Sequence, residues 1–142
     1  MTNLSPDVLI AKAILDHINR WPDKPSNVRL DSMDKAPVFF SVSMQPLAGT
    51  KILKKYITGT FVGLWPFAVY IRISAADTAK RLDAVSMLEA LGEWVAGESL
   101  PVLGDRRTAQ KLEMTSLPSV AAQYEDGAVD YQAIFNLTYK QE

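Results

Sequence analysis

Apolar residues near the start of the chain recur at spacings of three and four. Val8, Ala11, Leu15 and Ile18 form one row, joined by Ile10 and Ile14, as on one side of an α-helix. Ser5 suits the N-cap, Pro6 the first helical position and Asp7 the first turn, where a carboxylate meets unpaired N–H groups. Pro22 disfavours helical geometry at Trp21 and stops the pattern. A helix over residues 5–20 follows. Residues 22–37 are polar and punctuated, with at most a short strand at Val28–Leu30. "PVFFSVSM" (37–44) is rich in β-formers, and "QPLAG" (45–49) turns the chain.

The most apolar stretch is "YITGTFVGLWPFAVYIRIS" (56–74). Its length and its Gly59/Gly63 spacing would suit a membrane helix. Pro66 in its middle, Arg72 within it and its wealth of β-formers oppose that reading. Two strands with a turn over 62–66 are expected instead. In the second strand Phe67, Val69, Ile71 and Ile73 share one face. "SAAD" (74–77) reads as a capping box opening a helix that buries Leu82, Val85, Leu88, Leu91 and Val95 and closes at Gly97. Lys80, Arg81, Glu89 and Glu93 fall off that face. "ESLPVLGDRR" (98–107) is a connector. "KLEMTSLPSVAAQY" is extended and broken at Pro118, and "EDG" (125–127) marks a turn.

The last strand alternates without interruption, Val129, Tyr131, Ala133, Phe135, Leu137 and Tyr139 on one face and mostly polar residues on the other. Twelve residues extend about 40 Å, more than an ordinary strand, so part of it is expected to protrude or to meet another subunit. Two amphipathic helices and several half-polar strands are most simply packed with both helices on one face of an antiparallel sheet. The expected fold is therefore α+β, one domain over residues 1–142, with one sheet face uncovered and open to a partner.

Composition narrows the function classes. The chain has 142 residues, 48% hydrophobic and 22% charged, as in ordinary globular domains. Fifteen basic and sixteen acidic residues give a net charge of −1, so no long-range pull on nucleic acid or anionic membranes is expected. No cysteine is present, which excludes disulfides, thiolate metal sites and a cysteine nucleophile. The start, "MTNLSPDVLIAKAIL", lacks the basic and long apolar regions of a signal peptide, and assembly in a cytoplasm is expected.

Catalytic chemistry finds little support. His17, the one histidine, reads as a helix-surface or boundary residue and has no second histidine to complete a metal site. No Gly-x-Ser-x-Gly or P-loop occurs. The acid pairs Asp31/Asp34 and Glu125/Asp126 sit in loop and turn contexts that favour local backbone hydrogen bonds. No catalytic, cofactor or metal residue is assigned. A small enzyme or ligand-binding domain with a cleft at the uncovered face, suggested by Trp65, Phe67, Tyr70, Tyr124 and Tyr131, is the competing reading. Basic clusters lie at Lys51/Lys54/Lys55, Lys80/Arg81 and Arg106/Arg107/Lys111. They read as solvated surface unless an assembly multiplies them around a channel.

"KKYITGTFVGLWPFAVYIRIS" followed by "ADTAKRLDAVSMLEALGEWV" resembles the central block of the minor capsid or tail-terminator proteins of long-tailed, lambda-type bacteriophages. The matching pieces are Lys55 to Gly59, Pro66 to Ala68, Arg81 to Ala84, and Leu88 to Trp94. "MTSLPSVAAQYEDGAVDYQAIFNLTYKQ" is similar to the closing strands of that family. The resemblance implies a structural virion protein without an active site, in a hexameric ring that caps the tail tube, ends its polymerisation and offers the head-joining surface. The alternative position is another neck or connector layer. Expected partners are further copies, tail-tube and connector proteins, and DNA passing through the lumen without sequence readout. Lys54, Lys55, Arg106 and Arg107 are the candidate lumen or interface residues. Residues 31–37 and 98–107 are candidates for ordering on assembly.

Overall fold

A computed structural model describes residues 5–22, 28–30, 40–74, 77–97 and 100–142. Helix α1 (Pro6–Ile18) starts as expected, with Ser5 Oγ accepting from the Val8 N–H at 3.3 Å. Its buried stripe is Ile10, Ala11, Ile14, His17 and Ile18, which leaves Val8 exposed. Helix α2 (Thr78–Gly97) departs from the expected capping box. Asp77 is itself the N-cap, its carboxylate accepting from the Lys80 N–H at 2.8 Å. An aspartate there satisfies an orphan donor and meets the positive end of the helix dipole. The buried stripe is Ala84, Leu88, Leu91, Gly92 and Val95, and Leu82 points outward rather than inward.

Among the described residues, seven strands form one sheet: β1 (Val28–Leu30), β2 (Phe40–Pro46), β3 (Lys51–Lys55), β4 (Phe61–Ile73), β5 (Arg107–Met114), β6 (Ser119–Gln123) and β7 (Val129–Gln141). The centre is β4 against β7, paired antiparallel from Phe61↔Gln141 to Ile73↔Val129. Both outer neighbours are interrupted strands. On one side β2 covers residues 67–73 of β4 and β3 covers 61–64; on the other β5 covers 135–141 of β7 and β6 covers 129–132. The sheet is thus two long hairpins, each with a broken outer arm, joined through β4 and β7. β1 adds to β2 in parallel, the one departure from the expected antiparallel pairing.

Two strand expectations are corrected. The turn lies at residues 56–60, not 62–66, and the latter are interior to β4. Pro66 is tolerated there because it falls where the neighbour changes from β2 to β3, and its carbonyl accepts from the Leu47 N–H in the connecting bend at 3.2 Å. β7 does not protrude, since β4 spans its full length.

Alternation sends Trp65, Phe67, Val69, Ile71 and Ile73 of β4, with Val129, Tyr131, Ala133, Phe135, Leu137 and Tyr139 of β7, into one core. Phe67 and Phe135 stack across the pair at 5.3 Å and 11°. Both helices cover this face and contribute to the same cluster, as the sequence predicts. His17 is a further correction: it is buried where the helices meet, its ring 5.2 Å from that of Trp94. The indole Nε1 of Trp65 donates to Asp7 Oδ1 at 3.1 Å and ties the start of α1 to β4. The opposite sheet face carries Leu64, Pro66, Tyr70, Gln132, Ile134 and Asn136, all half-buried, and among the described residues no helix covers it.

Candidate assembly surface

In the β3–β4 hairpin, β3 and the turn that joins it to β4 are exposed, while β4 itself runs through the core. Every residue of β3 is exposed, and among the described residues the strand pairs with β4 alone. The tip closes through Tyr56 N–H to Thr60 C=O at 2.8 Å and Gly59 N–H to Tyr56 C=O at 3.0 Å. Gly59 takes φ +91°, which is why a glycine stands there. Ile52 and Leu53 are each 51% exposed, and Ile57 at the tip is fully exposed. The Lys54 Nζ lies 5.1 Å from the Tyr56 ring centroid. A cleft of about 610 Å³ runs between Lys55, Ile57, Thr58 and Lys140.

The base of the hairpin is rigidly seated. Thr50 Oγ1 and Tyr139 Oη are 2.6 Å apart, crossing above Gly63. A Cβ at Gly63 would meet Thr50 Cγ2 at 2.6 Å and Tyr139 Cε1 at 3.3 Å, so the close approach requires glycine. Gly63 serves sheet packing here, not helix pairing.

The register gathers the four candidate residues at one end of the sheet. Lys55 opposes Phe61, Phe61 opposes Gln141, and Gln141 opposes Arg107; Lys54, Val62, Lys140 and Thr108 form the adjoining row. Four strands at sheet spacing make each row about 14 Å wide. Lys54, Lys55 and Arg106 are exposed. The Arg107 side chain is 8% exposed, with Nη1 3.6 Å from Asp105 Oδ2. It lies beneath a tight turn in which Gly104, Asp105 and Arg106 all have positive φ. The Glu142 N–H donates to the Arg106 carbonyl at 3.0 Å and closes that corner. Lys140 joins the basic end through strand register, which the sequence could reveal only once β4 and β7 were aligned.

At the other end of the open face, Arg72 Nε meets Asp130 Oδ1 at 2.7 Å and Nη2 meets Oδ2 at 2.9 Å. The Tyr124 hydroxyl donates to Asp130 Oδ2 at 2.8 Å, and the guanidinium lies 4.9 Å from the Tyr124 ring centroid. The hydrogen bond to Asp130 raises the Arg72 pKa above its ordinary value against the opposing effect of burial. The same carboxylate raises the Tyr124 phenol above 10, outweighing the opposite pull of Arg72. These groups clamp β6 and β7 to β4. The proposed aromatic cleft does not form, because Trp65, Phe67 and Tyr131 point into the helix-covered core. Asp126 Oδ1 accepts from the Ala128 N–H at 3.0 Å, as a turn residue does; Asp31 and Asp34 lie outside the described residues, as does the 31–37 loop. Pro101 and Leu103 of the connector are buried. Among the described residues no cluster of three His, Asp or Glu side chains could hold a metal ion, and no helix is long and apolar enough to cross a membrane.

No protein-family model and no curated protein matches the chain. Among solved structures, it is similar to a chain of the virion of a native gene transfer agent particle, with a TM-score of 0.63 and 14% identity. The likeness covers 92% of this chain and 97% of that one, so the two share their fold nearly end to end.

Proposed function

We propose that this chain is a structural virion protein of a tailed phage or phage-like particle, and within it a tail terminator. The end-to-end likeness to a virion chain carries the reading. The block from Lys55 to Trp94 supports the finer assignment, through its resemblance to tail terminators. An uncovered sheet face and an exposed, firmly based hairpin are what an assembly subunit presents to its neighbours. In this reading copies close into a hexameric ring on the end of the tail tube, stop its growth and offer the opposite surface to the connector. The ring assembles in the host cytoplasm and stays in the virion tail. Lys54, Lys55 and Arg106, at one end of the sheet, face the lumen or a subunit boundary, with the Arg107 side chain buried beneath the turn behind them, and DNA passes without base readout.

Electron microscopy of the purified protein, alone and with polymerising tail-tube protein, tests this. Rings and tubes capped at a fixed end are expected. Unchecked tube growth with no bound protein overturns the terminator role, and binding to connector rings instead moves the chain one layer toward the head.

A further inference from the structure

The hairpin is chemically one-sided. From Pro46 to Ile71 the chain has no acidic residue, and β3 offers Lys51, Lys54 and Lys55 beside exposed Ile52, Leu53 and Ile57. Lysines on a free edge discourage pairing with an identical edge, so two hairpins do not suit each other. Helix α2 is its complement. From Leu82 to Gly97 it has Asp83, Glu89 and Glu93 and no basic side chain. All three acids are exposed, on an outward side that also carries Leu82, 63% exposed, and the small Ser86 and Ala90. The last turn has no basic residue, so the negative end of the helix dipole stands uncompensated beside Glu93.

The topology places these surfaces on opposite flanks. Lys55 lies in the sheet row that ends at Arg107, whereas Gly92 of α2 packs against Met114, which opposes Phe135 further along the sheet, so the acidic face of α2 stands beside the Met114 end of β5. β3 lies beside β4 on the β2 flank, whereas α2 packs most against β5 on the far flank. Two different complementary patches on opposite flanks give a head-to-tail contact, which closes a ring when the rotation between copies allows it.

We propose that the β3–β4 hairpin of one copy docks on the outer face of α2 in the next, lysines against Asp83, Glu89 and Glu93, with Ile57 and Leu53 against Leu82 and the small residues. The proposal rests on the ring reading above and names its contact. Exposed isoleucine and leucine beside the lysines favour a protein surface over a DNA backbone as the occupant.

The test uses the full chain, by native mass spectrometry with circular dichroism to verify folding. Lys54→Glu/Lys55→Glu should abolish the ring and leave the fold intact, as should Glu89→Lys/Glu93→Lys. Combining the four substitutions should restore it. Because the natural chain lacks cysteine, Lys54→Cys mixed with Glu89→Cys should give a disulfide-linked dimer under oxidation. A chain carrying both should give a ladder that ends at the ring number. If the wild type is monomeric alone and on tail tubes, the ring reading fails and takes this contact with it. If wild-type rings persist in the charge-reversed variants, or Lys54→Cys cross-links mainly to itself, only this contact is overturned. Intact variant rings that have lost affinity for short duplex DNA overturn it too, and assign the hairpin to the lumen.

Discussion

Arg72, Tyr124 and Asp130 show how little of a polar network can be read one residue at a time. Arg72 counts against a membrane span in the sequence, but its partner is 58 positions away and becomes visible only through the Arg72↔Asp130 register. With the side chains 17% and 10% exposed, Asp130→Ala leaves a largely desolvated guanidinium and should cost about 2–4 kcal/mol in chemical denaturation. The fold favours the neutral phenol of Tyr124, so its contribution is in place below about pH 10 and is lost as pH rises through the elevated pKa. Tyr124→Phe should flatten the fall of the denaturation midpoint as pH rises above about 10, relative to the wild type. His17 was misjudged for the same reason as the network was missed. Its row on α1 is plain, but the approach of Trp94 is a tertiary fact.

At the scale of elements, both helices and nearly every strand were legible, because periods of 3.6 and 2 survive in single segments. The fold-back in the 56–74 stretch was misplaced. Gly63-Leu64-Trp65-Pro66 has the composition of a turn, while the real turn, Tyr56 to Thr60, has only Gly59 to mark it. Proline in a central strand reads as a breaker unless the neighbour is known to change there, and that change belongs to the sheet. Gly63→Val should force Thr50 and Tyr139 apart and cost about 1–3 kcal/mol by overpacking, with the midpoint of thermal unfolding as the readout. Gly59→Val should cost about 1 kcal/mol through its positive φ, without disturbing the base of the hairpin. The basic end of the sheet was half legible. Lys54 and Lys55 stand out in the sequence, whereas their alignment with Lys140 and Arg107 needs the register of four strands.

For the whole molecule, class and layer order follow from patterning, since two one-sided helices and alternating strands leave few ways to bury both stripes. Pairing partners do not follow, and they decide stability. Phe67→Ala removes a ring stacked on Phe135 at the centre of the core and should cost about 3–5 kcal/mol, measured by denaturant titration. The β4–β7 pair also has a consequence for how the chain is made. β4 leaves the ribosome long before β7, and its longest partner does not yet exist. Until residues 129–141 emerge, one full side of the most apolar strand is an open template for other chains. Joining strands so distant in sequence is slow, which prolongs that exposure. A chain cut before Val129 should therefore aggregate rather than yield a soluble smaller domain, a difference that centrifugation of lysates would show.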